Sequence, residues 1–249
     1  IHQQGESVAS LASTHRTCQN YELSAQTAPR GLCLKLRKLR VELMRIMLVA
    51  LAFVVWTGQV RAEIKTQVVE YSDGDVALEG FVAWDPAKVD KEAPGVLVVH
   101  QWLGLTDYEK SRCKQLAELG YVAFALDVYG KGIRPASMQE ARQLSGTYKA
   151  DRELYRRRLN LGLAQLRAQK GVAKDKIAAI GYCFGGTGAL ELARSGADIS
   201  GVVSFHGGLD SPQPEDGKNI KAKLLICHGA DDPFIPAKDI EAFKSELNA

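Results

Sequence analysis

Solid apolar runs of a few residues recur along the chain: "GVLVVH" (Gly95–His100), "YVAFALD", "KIAAIG", "GVVSFHG" and "AKLLICHG". Short, β-branched and without polar alternation, they predict strands covered on both faces. Between them the apolar period lengthens. A helix is expected from about Asp107 to Leu119, stopped by Gly120. A longer one is expected from about Asp151 to Gln169, with Leu154, Leu159, Leu163 and Leu166 on one side, opposite the solvated basic run Arg156 to Arg158. A third opens at Gly186. Ahead of these, "TQVVEY" and "VALEGFVAW" flank Ser-Asp-Gly-Asp, a hairpin signal. Strands alternating with helices make βαβ units. The expected architecture is one α/β domain, a mostly parallel, doubly wound sheet with helices on both faces.

The amino-terminal part follows no such pattern. Residue 1 is Ile, and residues 1–43 mix Gln, Ser, Thr and basic residues without a sustained period. They are expected to be disordered upstream sequence. Met44 to Ala62, "MRIMLVALAFVVWTGQVRA", has a basic head, an apolar run from Ile46 to Trp56 and a small-x-small close at Val60-Arg61-Ala62. That is the layout of a secretory signal peptide, and the run is too short to span a bilayer. The expectation is a start at Met44, cleavage after Ala62, a domain over 63–249, and a secreted or periplasmic protein with no stable membrane anchor after cleavage.

This division changes the charge picture. The first 62 residues hold 8 of the 32 Lys and Arg but 3 of the 29 Asp and Glu, so the remainder is weakly acidic. Nothing in it calls for nucleic acid as a partner. The remainder keeps Cys113, Cys183 and Cys227, an odd number that leaves at least one free thiol. No cysteine or histidine cluster has metal-ligand spacing.

In an open parallel sheet, ligands bind beyond the carboxyl ends of the strands, so the residues following each run are the candidates. "GYCFGG" puts Cys183 between a strand and a helix, the setting of a nucleophile elbow. The flanking glycines permit a tight turn, and the helix end presents partial positive charge and free N–H groups to the thiol. A buried structural cysteine is the plainer alternative. In "HGADDPFIP", Asp232 follows the last run and could orient a catalytic histidine; Asp231 competes with it, and a simple Asp-Pro turn is the bland reading.

These motifs, together with "VVEYSDGDVALEGFVAWD", "DVYGKG" and "SFHGG", make the stretch from about Val69 onward resemble the dienelactone hydrolase family of α/β hydrolases. The resemblance implies an α/β-hydrolase fold and a Cys-His-Asp triad with Cys183 as nucleophile and Asp232 as acid. It also implies an oxyanion hole from the backbone N–H groups of Trp102 and Phe184. Hydrolysis of a small ester or lactone would proceed through a thioester acyl-enzyme without cofactor or metal. Gln101, Tyr129, Lys131 and His206 would border the substrate.

Three features depart from the family pattern. The catalytic histidine is expected some thirty residues beyond the acid, past Ala249, so the chain is expected to lack a final strand and helix and, by itself, to be nearly inactive. His100, His206 and His228 are read as structural or pocket-lining. Gln101 stands where a glutamate helps deprotonate the thiol, and an amide cannot take that proton. Lys131 replaces an arginine that binds a substrate carboxylate, keeping charge but losing the bidentate fork. These departures motivate one alternative, a non-catalytic ligand-binding protein or inactive fragment on the same fold. A redox-sensing thiol protein is a third class, disfavoured because Cys113 and Cys227 fall on a helix and inside a strand.

Overall fold

The structure is a computed structural model that describes residues 38–45, 47, 63–89 and 92–248. The chain divides into two units, Ile1–Val60 and Arg61–Ala249. Of the first, residues 38–45 form an exposed helix where the sequence pattern predicted no element. The expected signal segment lies largely outside the described residues. No helix among the described residues is long and apolar enough to cross a membrane.

The second unit is built on a seven-stranded sheet of order β1-β2-β4-β3-β5-β6-β7. The strands are β1 (Lys65–Asp73), β2 (Val76–Trp84), β3 (Ala93–Val99), β4 (Val122–Leu126), β5 (Val172–Tyr182), β6 (Gly201–Phe205) and β7 (Lys223–Cys227). β1 and β2 form the expected hairpin, closed by Gly74-Asp75 with Asp73 opposite Val76. β2 meets β4 antiparallel, and every later pairing is parallel. Gly80, inside β2, leaves room for the Phe124 ring: a Cβ there would lie 2.1 Å from Phe124 Cζ. β5 begins earlier than "KIAAIG" predicts, because its register with β3 shifts between Pro94 and Gly95.

Five helices cross between or follow the strands: α1 (Asp107–Glu118), α2 (Met138–Ala150), α3 (Arg152–Ala168), α4 (Phe184–Arg194) and α5 (Ala237–Leu247). α1 starts at a capping box in which Thr106 and Glu109 satisfy each other's backbone N–H groups. α3 starts at Asp151, whose carboxylate accepts the Leu154 N–H at 2.9 Å. Its buried side carries Tyr155, Leu159, Leu163 and Leu166, but also Arg158, which is 4% exposed and pairs with Asp73 at 2.7 Å, so the basic run is not the solvated face the pattern predicts. The α2 and α5 helices were not distinguished from the sequence pattern.

The core lies on both sides of the sheet. Under α3 and α4, Leu97, Val99, Phe124, Leu126 and Leu159 pack with Phe184 and Leu190. Under α1, Val96, Val98, Ala123 and Ala125 pack with Leu105 and Cys113. On this second face the far strands are barer, with Phe205 36% and Leu225 56% exposed.

Candidate active site

The elbow is a strained turn. Cys183 has φ 54° and ψ −116°, a backbone conformation costly for a residue with a side chain. Its N–H donates to the Phe205 carbonyl at 2.8 Å, and its carbonyl accepts the Gly186 N–H at 2.9 Å. The neighbouring glycines are there for space. A Cβ on Gly181 would lie 1.9 Å from the Gly185 carbonyl oxygen, and one on Gly185 would lie 2.2 Å from that of Val99. The turn leaves the cysteine partly exposed at the carboxyl edge of the sheet.

Phe184, the first residue of α4, has an N–H with no acceptor inside the helix. Its position is held firmly. The Tyr155 hydroxyl donates to its carbonyl at 2.8 Å, and the two rings stack 4.6 Å apart. Trp102 lies after β3 and packs against the core under α3 and α4, and the Tyr129 hydroxyl donates to its carbonyl at 3.1 Å. Burial raises the pKa of the Tyr129 phenol and holds it protonated. Tyr129 thus stands between the Trp102 loop and the cysteine.

"DVYGKG" is shaped by Asp127. Its buried carboxylate accepts the N–H groups of Tyr129 at 3.0 Å and Gly130 at 3.1 Å. Beyond this turn Lys131 points to the hairpin, with its ammonium on Glu70, and is 43% exposed. A second cation, Arg134, lies nearer the Trp102 loop. A Cβ on Gly104 would lie 3.1 Å from Arg134 Cδ and 3.5 Å from its Nη1. No motif spacing marks Arg134 in the sequence.

Glu109 likewise belongs to no catalytic motif in the sequence. Entirely buried, it accepts the Thr106 N–H at 2.8 Å and hydroxyl at 2.7 Å, and the Gln101 N–H at 3.4 Å. Gln101 therefore has a carboxylate on its backbone, though its own side chain is neutral.

Asp232 is the carboxylate that finds an imidazole. Oδ1 accepts the Phe234 N–H at 2.9 Å, and Oδ2 is hydrogen-bonded to His206 Nδ1. The Phe234 N–H, with His206 second among the favourable contacts, holds this carboxyl below the usual aspartate range. His228 Nδ1 stands 3.9 Å from the same oxygen. Asp231, the competing candidate, is exposed and makes no hydrogen bond among the described residues. His206 has φ 57°, its N–H donates to the Cys227 carbonyl at 2.9 Å, and its side chain is 47% exposed. Register explains the gathering: Tyr182 pairs with Phe205, and Phe205 with Cys227. Cys183, His206 and His228 thus leave three adjacent parallel strands at the same level.

A cavity of about 280 Å³ lies at the opposite end of the sheet, lined by Val82, Trp84, Val89 and Val122 with Gln67 and Lys170. No cysteine, serine, histidine or carboxylate lines it. Among the described residues, no group of three or more His, Cys, Asp or Glu could hold a metal ion.

Known proteins share this arrangement of strands and helices. The solved structure of m3DLH superposes with a TM-score of 0.71 at 39% identity, over 74% of this chain and 77% of that one. The dienelactone hydrolase-like promiscuous phosphotriesterase P91 from metagenomic libraries gives 0.69 at 37% identity, over the same shares. The carboxymethylenebutenolidase of Pseudomonas putida is 27% identical over 179 residues, 69% of this chain and 74% of that protein. The model of the dienelactone hydrolase family matches residues 78–249. A match that runs from β2 to the end of the chain, and takes in every element bordering Cys183, means that this chain belongs to the dienelactone hydrolase family.

Proposed function

We propose that the protein hydrolyses small carboxylic esters or lactones with Cys183 as nucleophile. The observation that carries the reading is the strained elbow: Cys183 with φ 54° at the head of α4, beside the Phe184 N–H, which has no acceptor inside the helix. Sγ attacks the carbonyl carbon, and the resulting oxyanion takes hydrogen bonds from the Trp102 and Phe184 N–H groups. Collapse breaks the ester C–O bond and leaves a thioester on Cys183. The thiol proton passes through an imidazole to the leaving oxygen. Water, deprotonated by the same imidazole, then releases the carboxylic acid and returns the proton to the sulfur.

Asp232 orients that imidazole. His206 is the ring on Asp232 among the described residues. The family pattern puts the base about thirty residues past the acid. Single-turnover acylation separates the two. With His206 as base, His206→Ala slows acylation as much as Asp232→Ala; with a later histidine as base, only Asp232→Ala does. Substrates with a negatively charged acyl part fit the cations Lys131 and Arg134.

The primary test is mass spectrometry after mixing with p-nitrophenyl acetate. The Cys183 peptide should gain one acetyl group, and Cys183→Ala should show neither adduct nor hydrolysis. Undiminished hydrolysis by Cys183→Ala would rule out the nucleophile.

A further inference from the structure

His100 follows β3 as an entirely buried imidazole with both ring nitrogens engaged. Nε2 accepts the Val128 N–H at 3.1 Å. A nitrogen that accepts an amide hydrogen carries no proton of its own, so the neutral ring has its proton on Nδ1. Nδ1–H then donates to the Gln101 carbonyl at 2.6 Å, which also accepts the Gly104 N–H at 3.1 Å. Burial draws the ring's pKa down to about 4, so this form persists at neutral pH.

The Gln101 carbonyl and the Trp102 N–H belong to one planar trans peptide and point in opposite directions. Holding the oxygen therefore aims the hydrogen. On the other side of Trp102, the Tyr129 hydroxyl holds the next carbonyl at 3.1 Å. The loop lies outside helix and sheet, so these side chains supply the restraint that a regular ladder would otherwise provide. The His100 ring also lies 4.7 Å from the Tyr129 ring and 5.9 Å from that of Phe184. One imidazole thus touches supports of both proposed oxyanion donors.

We infer that His100 is a positioning residue of the oxyanion hole: its Nδ1–H sets the plane of the Gln101–Trp102 peptide, and its Nε2, held by Val128, locks the tautomer that does so. The inference rests on the reading of Trp102 as an oxyanion donor.

Two variants divide the ring's functions. His100→Asn keeps a donor near the Nδ1 position, and His100→Gln keeps an acceptor near the Nε2 position. Two rates are read on the Cys183 peptide at about pH 9, where an ordinary thiol is largely ionised. One is acylation by p-nitrophenyl acetate, which forms an oxyanion. The other is alkylation by iodoacetamide, a displacement at saturated carbon that forms none. His100→Gln should slow acylation about 10- to 100-fold, short of deleting a donor outright, with KM and the alkylation rate within about twofold of the parent. His100→Asn should recover most of the lost acylation rate.

Equal losses in both variants, a parallel fall in alkylation, or wild-type acylation by His100→Gln would each overturn the inference. Failure of the proposed function itself looks different, since Cys183→Ala would then still hydrolyse the ester. If neither variant gives a cooperative thermal transition, 15N-histidine NMR of the unaltered chain decides. A protonated Nδ1 and bare Nε2 on His100 support the inference, and the opposite tautomer overturns it.

Discussion

The backbone N–H of Cys183 donates to the carbonyl of Phe205 at 2.8 Å, tying the strained elbow residue to the strand that ends one residue before His206. The nucleophile candidate therefore owes its place to the sheet as much as to its own turn. A residue with φ 54° persists only where its surroundings over-determine it. Here a ladder bond and the close seating of α4 on β3 do so.

That seating predicts an asymmetry among the glycines. A Cβ on Gly185 would lie 2.2 Å from the Val99 carbonyl oxygen and 2.6 Å from that of His100, both backbone atoms. Gly185→Ala should destabilise by about 3 kcal/mol and open the elbow. Gly146, in α2, has nothing within 4 Å of its absent Cβ. Gly146→Ala should stabilise by about 0.5–1 kcal/mol through backbone entropy. Urea denaturation of both variants checks the pair.

His100 makes stability depend on pH. Its folded pKa is about 4, below the ordinary histidine value, because burial disfavours the charged ring; Glu109 opposes that shift and Arg134 adds to it. The unfolded chain then binds the proton more readily. Stability is complete above about pH 6.5 and is lost as pH falls towards 4, by an amount of about 3 kcal/mol for a shift of this size. Urea midpoints across this window should fall with pH in the parent and flatten in His100→Asn.

Lys131 and Arg134 should separate by substrate charge. Glu70 already neutralises the Lys131 ammonium, whereas among the described residues the Arg134 Nη1 donates only to the adjacent Ile133 carbonyl. Arg134→Ala should raise KM for an ester with a carboxylate-bearing acyl group by about tenfold, as loss of one charged hydrogen bond does. Lys131→Ala should have the smaller effect, and a neutral ester should discriminate little between the two. Steady-state kinetics on the paired esters decides the ranking.

The last helix is fastened by a buried ion pair. Arg194 is entirely buried, and Glu246 binds it at 2.8 Å and 2.7 Å through both carboxylate oxygens. Glu191 shares the same guanidinium at 2.9 Å. Glu246→Ala should destabilise by about 3 kcal/mol, since it strips a partner from a charge that cannot reach water. Chemical denaturation measures the loss, and limited proteolysis should cut first within α5.

The amino-terminal reading has its own check. Expression of the whole chain in a bacterium that exports proteins should yield a product beginning at Glu63, recovered from the periplasm or medium. Amino-terminal sequencing tests this, and an uncleaved product would contradict it.

The strands and the helices α1 and α3 could be read from the sequence, because an apolar run or a helical stripe is a local property of consecutive residues. Asp151, at the expected start of the long helix, is its N-cap, and Gly120 follows α1 in a left-handed conformation. The elbow was legible for the same reason, since the glycines around Cys183 are sequence neighbours. α2 was not, because "MQEARQLSGTYKA" interrupts its apolar stripe with Ser, Gly and Thr. Which groups meet across strands is set by the fold: His206 on Asp232, 26 residues apart, Lys131 on Glu70 and Glu109 on the Gln101 N–H. Nothing in the spacing of His100 and Val128 announces a hydrogen bond between them. Parallel strands lie beside one another through crossovers of many residues, and the contacts at their ends depend on register. A sequence read one neighbourhood at a time does not contain that register.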